Sequence, residues 1–253
     1  MVGKLLVRGM LAGIAAGLIT FAFARVVGEP QVDQAISFEE KADAAKEAAQ
    51  GHAHEHEEEL VSRPTQAGLG LLTGVVAYGA AIGGLFALTF AYLHGRAGRL
   101  SARGLSALLA LGAFVAIAIV PALKYPPNPP SVGDPETIGY RTGLYFLMIA
   151  ISLTALVFSM KARRHAAARL GAWNGSIAAG VLFIAIIAAV QIGLPDINEV
   201  PAAFPAVVLW KFRVAALGMQ TLLWGVLGLL FGALIERMQR LQRGAQAAGR
   251  LAS

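Results

Sequence analysis

Cysteine is absent from this 253-residue chain, and charged residues make up only 14% of it. Without cysteine the protein has no disulfides, thiolate metal sites, iron–sulfur clusters or cysteine nucleophiles. With so few charges and 57% hydrophobic residues, the chain is too apolar for an ordinary water-soluble domain. Glycine, in contrast, is abundant at 29 residues, which is typical of closely packed membrane helices. We therefore expect an integral membrane protein.

A helix that crosses the hydrocarbon core of a bilayer needs about 20 apolar residues. Six segments meet this requirement, at residues 5–27, 68–93, 104–123, 142–160, 172–194 and 214–235. The first segment, with Ala22-Phe23-Ala24 near its end, also resembles a cleavable signal peptide. However, Gly9, Gly13 and Gly17 recur every fourth residue, so one face of this helix would allow a neighbour to approach closely. This face favours a retained span.

Basic and acidic residues alternate between successive loops. The N-terminus, the second loop, the fourth loop and the C-terminal tail (236–253) contain a single acid, Glu236. Their basic residues are Lys4, Arg8, Arg96, Arg99, Arg103, Lys161, Arg163, Arg164, Arg169, Arg237, Arg240, Arg243 and Arg250. The other three loops hold all the remaining acids. For this predicted all-α, six-span protein, the positive-inside rule places both termini in the cytoplasm. We expect it in the bacterial cytoplasmic (inner) membrane. The basic residues are better read as anchors near anionic lipids than as a nucleic-acid site.

The first outer loop (28–67) is predicted to contain a short extracytoplasmic helix. Ser37-Phe38-Glu39-Glu40 fits a capping box in which Ser37 begins the helix and Glu40 bonds back to it. Alanine-rich sequence continues to Gln50, and Gly51 is a plausible stop. Because its faces are mostly polar, we expect this helix to lie at the surface or to dock lightly.

A histidine and glutamate tract follows that helix. His52, His54 and His56 alternate along the chain, interleaved with and followed by the acids Glu55, Glu57, Glu58 and Glu59. In an extended chain the three imidazoles share a face, and in a helix His52 and His56 do. Nitrogen and oxygen ligands suit Co²⁺, Ni²⁺, Zn²⁺ and Cu²⁺, and the acids would concentrate cations. The tract is a candidate metal site; the alternative is a solvated acidic loop.

The other two outer loops are short, proline-rich and acidic. They place Asp134, Glu136, Asp196 and Glu199 close to the predicted membrane surface. One interpretation is an outer vestibule in which these carboxylates attract a cation, with Gln220 as a polar contact in the last span. The alternative is that the acids form ion pairs with neighbouring bases, while Trp210 and Tyr140 act as interfacial aromatics. The candidate bases are Lys124, Arg141, Lys211 and Arg213.

Inside the predicted spans, polar chemistry is sparse. No carboxylate lies at the centre of any span, although such groups are typical of proton- or ion-coupled transport. This favours a protein that does not drive coupled transport by itself. Gln220 is the best midspan polar candidate, and a helix–helix hydrogen bond is its more common role. Gly225, Gly228 and Gly232 in the last span predict a second closely packed face.

The sequence resembles the predicted cobalt transporter subunit family, CbtA, over nearly its whole length. The proline-containing blocks are the most distinctive. The segments that carry the resemblance are Val27-Gly28-Glu29-Pro30, Ser37-Phe38-Glu39-Glu40, the 52–59 tract, Gly68-Leu69-Gly70-Leu71-Leu72-Thr73, residues 120–130, residues 133–139, Glu199-Val200-Pro201, Phe204-Pro205, Leu209-Trp210-Lys211-Phe212-Arg213 and residues 220–224. The resemblance implies import of cobalt for cobalamin synthesis, together with a small one-span, histidine-rich partner, CbtB. It supplies no ligand set.

The preferred functional hypothesis is a membrane subunit of a divalent metal-ion uptake system, with Co²⁺ as the transported or loosely bound cation. The alternative is a structural or accessory subunit of a larger membrane complex, which the glycine-rich helix faces and the shortage of midspan charge favour. These faces would also permit oligomers. An enzyme is not expected, because no nucleophile–base pair, closed metal triad or phosphate loop is visible, and no organic cofactor is predicted.

Overall fold

The computed structural model describes residues 2–50, 61–96, 98 and 100–251, and every regular element in that part of the chain is helical. The α-helices are α1 (Val2–Phe23), α2 (Glu29–Gln50), α3 (Arg63–Thr65), α4 (Leu71–Leu93), α5 (Ala102–Ala113), α6 (Val120–Lys124), α7 (Ile138–Gly193) and α8 (Ala206–Leu251). Single π-helical turns occupy Ala24–Gly28, Gln66–Gly70 and Phe114–Ile119. Five described segments are long and apolar enough to cross a membrane: Val2–Lys46, Arg63–Leu93, Ala102–Lys124, Pro135–Gly193 and Ala206–Gly244. The expected all-α membrane architecture agrees with them.

The longest helix, α7, is broken once. Gly171 has φ 81° and ψ 162°, a backbone conformation that glycine adopts readily and that ends a helix. The break divides α7 into arms 138–170 and 172–193. The first arm contains the predicted span 142–160, and the second covers the predicted span 172–194 except for its last residue. The arms contact each other, because Arg163 Nε donates to Ser176 Oγ at 2.8 Å. The basic stretch expected to be a loop is helical, since its alanine and arginine residues favour helix until the glycine.

The described residues form two compact units. Unit 1 consists of the described residues within 1–30, 51–111 and 218–253, and unit 2 of those within 31–50 and 112–217. Each unit has a different kind of core.

Unit 1 is built on close helix–helix contacts. The face predicted from Gly9, Gly13 and Gly17 is confirmed, because it packs directly on α4. A Cβ atom placed on Gly13 would lie 2.8 Å from the carbonyl carbon of Gly79. Backbones approach this closely only where both helices carry small residues.

The glycine face of α8 is confirmed in part. Gly228 and Gly232 pack on α5, and Ser106 Oγ donates to the Gly228 carbonyl at 2.6 Å. A Cβ atom placed on Gly225 would meet nothing within 4 Å, so this glycine does not belong to the packed face. The contact between α4 and α8 is aromatic: the ring centroids of Phe90 and Phe231 are 5.1 Å apart.

Unit 2 has two small apolar clusters. One joins α6 to both arms of α7 through Val120, Met148, Ala155 and Ile187. The other holds α2 in place, because Ala35 is fully buried and the ring of Phe38 packs edge-on against Phe204 at 5.1 Å. The extra helix therefore docks through an apolar face, more firmly than its composition indicated.

The predicted start of that helix at Ser37 is wrong. The helix begins at Glu29, directly after the π-helical turn Ala24–Gly28, so Ser37 lies in its interior. Pro30 explains the difference: its nitrogen has no hydrogen to donate, so a helical ladder changes its bonding pattern just before it. The backbone donors that a capping box at Ser37 would satisfy already have helical partners.

Candidate functional site

The histidine and glutamate tract at residues 52–59 lies outside the described residues. The described chain stops before it at Gln50 and resumes after it at Val61. Within the described ranges, no group of three or more His, Asp or Glu side chains is arranged to hold a metal ion. The tract remains the metal site that the sequence predicts.

Arg63, just beyond the tract, forms an ion pair with Glu29, which begins α2. The side chain of Glu29 is only 9% exposed, whereas that of Arg63 is 26% exposed. A carboxylate buried to this degree needs a charged or hydrogen-bonded partner, and Arg63 provides it. The pair ties the start of α3 to the start of α2. Sequence reasoning missed it, although Glu29 was the first acid after an apolar span and therefore a candidate for burial.

Glu199 joins the two proline loops, which we define as residues 125–137 and 194–205. Its carboxylate accepts hydrogen bonds from the Asp134 amide at 2.7 Å and from the Thr137 hydroxyl at 2.7 Å. Arg141 Nε lies 3.2 Å from the same carboxylate. The Asp134 amide, the Thr137 hydroxyl and the Arg141 charge hold the pKa of Glu199 below its ordinary value, although partial desolvation opposes them. Glu199 is therefore ionised and held in place.

Asp134 and Glu136 belong to the same turn. Asp134 Oδ1 accepts a hydrogen bond from the Glu136 amide at 2.9 Å and so caps the short 3-10 turn Pro135–Thr137. Arg141 also donates to the Asp134 carbonyl at 3.0 Å. Both acidic residues are exposed, so their carboxylates remain open to solvent cations while the backbone between them is fixed.

Asp196, in the second proline loop, pairs with Lys124 at the end of α6. The two side chains differ sharply in environment, since Lys124 is 6% exposed and Asp196 is 93% exposed. Lys124 also donates to the Gln191 carbonyl at 2.7 Å, which gives its buried ammonium group a second partner. Tyr125 strengthens this corner by donating its hydroxyl to the Pro195 carbonyl at 3.0 Å.

The vestibule acids thus meet several of the bases named as alternative partners. Arg141 and Lys124 form the expected ion pairs, with Glu199 and Asp196. Arg213 instead donates to the side-chain oxygen of Asn128 at 2.8 Å, so its described partner is an amide. Trp210 and Tyr140 are 70% and 59% exposed, as interfacial aromatics would be.

Gln220 belongs to unit 1, where its side-chain oxygen is buried. Gln220 Oε1 and Trp224 Nε1, one turn apart on α8, are buried without a hydrogen-bond partner among the described residues, and so is Thr20 Oγ1 on α1. The two helices meet nearby, because a Cβ on Gly218 would lie 2.7 Å from the ring of Phe23. Buried polar atoms in a membrane helix usually find a partner or a water molecule, so each of these three atoms is a candidate to bind one.

Residues 2–236 match the family model described as "Probable cobalt transporter subunit (CbtA)". This range includes all three predicted outer loops and ends at Glu236, before the basic remainder of α8. No curated protein and no solved structure matches the chain.

Proposed function

This chain belongs to the probable cobalt transporter subunit family, and from that membership we propose that it is a membrane subunit of a divalent-cation uptake system with Co²⁺ as cargo. The observation that carries the proposal is the family match over 235 of the 253 residues, together with five long apolar helices. Its role is then transport, and no reaction is assigned to it. The word "subunit" in the family description implies a partner, for which we propose a small histidine-rich membrane protein of the CbtB type.

We also propose six membrane crossings with both ends in the cytoplasm of a bacterial cell, at its inner membrane. The break at Gly171 supports the count, because each arm of α7 is long enough to cross a bilayer. Charge supports the orientation, since Lys161, Arg163 and Arg164 precede the break and no acid lies among them. In this orientation the tract and both proline loops face the outside.

The outer face would handle the ion in two stages. His52, His54 and His56, with the neighbouring glutamates, would capture the cation. The exposed carboxylates of Asp134, Glu136 and Asp196 would then raise its local concentration near the membrane. Glu199 would have a different role, because its hydrogen bonds and its ion pair hold the two proline loops together.

An accessory subunit without transport of its own is the second candidate. The shortage of midspan carboxylates favours it, because ion-coupled transporters usually place such groups within the membrane. In that case the ion path would belong to a partner, and Gln220 would serve only helix packing.

The experiment that tests capture is Co²⁺ uptake and Co²⁺ affinity of a variant carrying His52→Ala, His54→Ala and His56→Ala. We expect weaker Co²⁺ binding and a severalfold loss of uptake at limiting Co²⁺, with recovery at saturating Co²⁺. His165→Ala is the matched control, since this histidine is exposed on α7 and lies outside the tract in sequence. Unchanged uptake in the triple variant, at equal protein level, would remove the tract from the mechanism. Co-purification of a stoichiometric partner that alone binds Co²⁺ would favour the accessory role.

A further inference from the structure

A second polar site lies in unit 1, far along the sequence from the tract. An open pocket of about 300 Å³ is lined by Arg103, Ala233, Leu234, Arg237 and Arg240. Arg103 comes from the first turn of α5, and the other four residues come from two turns of α8. Ala233, Arg237 and Arg240 follow the spacing of a single helix face. One face of α8 therefore forms most of the pocket lining, and the start of α5 closes one side of it.

Close packing brings Arg103 to this face of α8. A Cβ on Gly232 would lie 3.1 Å from the Cα of Arg103 and 3.0 Å from the Cβ of Ser106. A side chain at position 232 would push the start of α5 away from α8 by a few tenths of an ångström, so glycine favours the close approach. The pocket thus depends on the same helix contact that the hydrogen bond from Ser106 to Gly228 stabilises.

The charges in the pocket are unbalanced. Glu236, one residue from Arg237 on α8, forms ion pairs with both Arg103 and Arg240, the second at 2.6 Å. The side chain of Arg237 has no hydrogen bond or ion pair within the part of the chain that the structure describes. Three guanidinium groups against one carboxylate leave a formal charge of +2. Glu236 therefore orders two of the arginines, and Arg237 stays available to an anion.

The same face of α8 has an apolar part. Ala233 and Leu234 line the pocket, and Leu229, one turn before Ala233, is 69% exposed. An apolar strip that leads into a cluster of arginines fits a ligand with an anionic head and an apolar tail. Guanidinium groups match phosphate oxygens in geometry and charge, and arginine is the residue that binds phosphate in a bidentate manner.

From this arrangement we propose that the pocket binds the phosphate group of an anionic phospholipid, with an acyl chain along the apolar face of α8 at Leu229 and Ala233. In the orientation proposed above, the pocket faces the cytoplasmic leaflet, where basic pockets between helices bind anionic headgroups. Arg237 and Arg240 follow the last residue that matches the family model, and the proposal does not rest on the cargo of the transporter.

The test compares lipids and variants on the purified full-length protein. Binding of phosphatidylglycerol and of phosphatidylcholine is measured by native mass spectrometry and by lipid-induced thermal stabilisation. We expect phosphatidylglycerol to bind selectively and Arg237→Ala to weaken it roughly tenfold, the effect of losing one charge-assisted contact. Arg237→Lys should restore only part of the affinity, because a lysine lacks the bidentate fork.

Arg243→Ala is the control, since it removes the same charge from the same helix outside the pocket. Equal weakening by Arg243→Ala would mean general attraction to a basic tail and would overturn the site. Equal binding of both lipids would also overturn it. Displacement of phosphatidylglycerol by millimolar inorganic phosphate would show that the pocket binds free phosphate, and it would overturn the proposal of a phospholipid site. Because the Arg237 side chain is exposed and has no hydrogen bond or ion pair among the described residues, we expect its substitution to leave the fold intact, so each result is interpretable.

Discussion

Each of the two units is stabilised internally by a different kind of contact. In unit 1, the backbones of α1 and α4 touch at Gly13 and Gly79, so stability depends on residues without a Cβ atom at the contact. In unit 2, the two proline loops are tied by side chains that are present, with Glu199 at the centre of the network. Adding a methyl group should disrupt the glycine contact of unit 1. Removing a charged or hydrogen-bonding group should disrupt the Glu199 network of unit 2. The following predictions test this contrast in order of expected effect.

The largest effect is expected from Gly13→Ala. The new methyl group would lie 2.8 Å from the carbonyl carbon of Gly79 and closer still to its oxygen, and neither backbone is free to move away. We expect a loss of about 3 kcal/mol, at the upper end for overpacking, seen as a lower Tm in detergent and a lower yield of monodisperse protein. Gly74→Ala on α4 is the control, because nothing lies within 4 Å of its Cβ position. If both variants behaved alike, the glycine contact would not hold unit 1 together.

A smaller effect is expected from Glu29→Gln. The substitution removes the charge that balances Arg63, and Arg63, being partly exposed, recovers some hydration. We expect a loss of about 2 kcal/mol, below the range for a fully buried pair. Thermal unfolding would measure it, with Asp43→Asn as the control because that acid forms an exposed pair with Lys46 on α2. Both residues belong to unit 1, so a Tm as high as that of the control would show that the ion pair contributes little and that the glycine contacts hold this unit.

The smallest effect, and the one that depends on pH, is expected from Glu199→Gln. The folded protein lowers the pKa of Glu199 from its ordinary value of 4.5, so the ionised form stabilises the loops at neutral pH. That contribution is present above pH 4.5 and is lost as the pH falls through the lowered pKa.

The Tm difference between the wild type and Glu199→Gln should therefore be constant near neutrality and should shrink in acid. Glu136→Gln should show no such pattern, because the described contact of Glu136 is made by its backbone amide. A difference that grew in acid would have the wrong sign for a stabilising carboxylate and would remove Glu199 from the centre of the unit 2 network.

Part of this structure was predictable from the sequence. The glycine repeat of α1 predicted a close helix contact because spacing along a helix determines which residues share a face. The predicted loop acids and bases included the pairs Lys124–Asp196 and Arg141–Glu199, but only as one of two interpretations. The predicted helix start at Ser37 is wrong because α2 already begins at Glu29 and continues through Ser37. Pro30 was the sequence signal for the start of α2. The outer tract stays a prediction, since it lies outside the described residues.

The sequence by itself determined that this chain is a helical membrane protein, because apolar length and loop charge act locally, residue by residue. Only the tertiary structure decided which polar groups have partners. Glu29 pairs with Arg63, Glu199 pairs with Arg141, and the side chain of Arg237 has no hydrogen bond or ion pair among the described residues, although all five are simply charged residues in the sequence. The reason is physical: an ion pair depends on distance and burial, and these are set by helices that approach where glycine permits and by loops that proline stiffens.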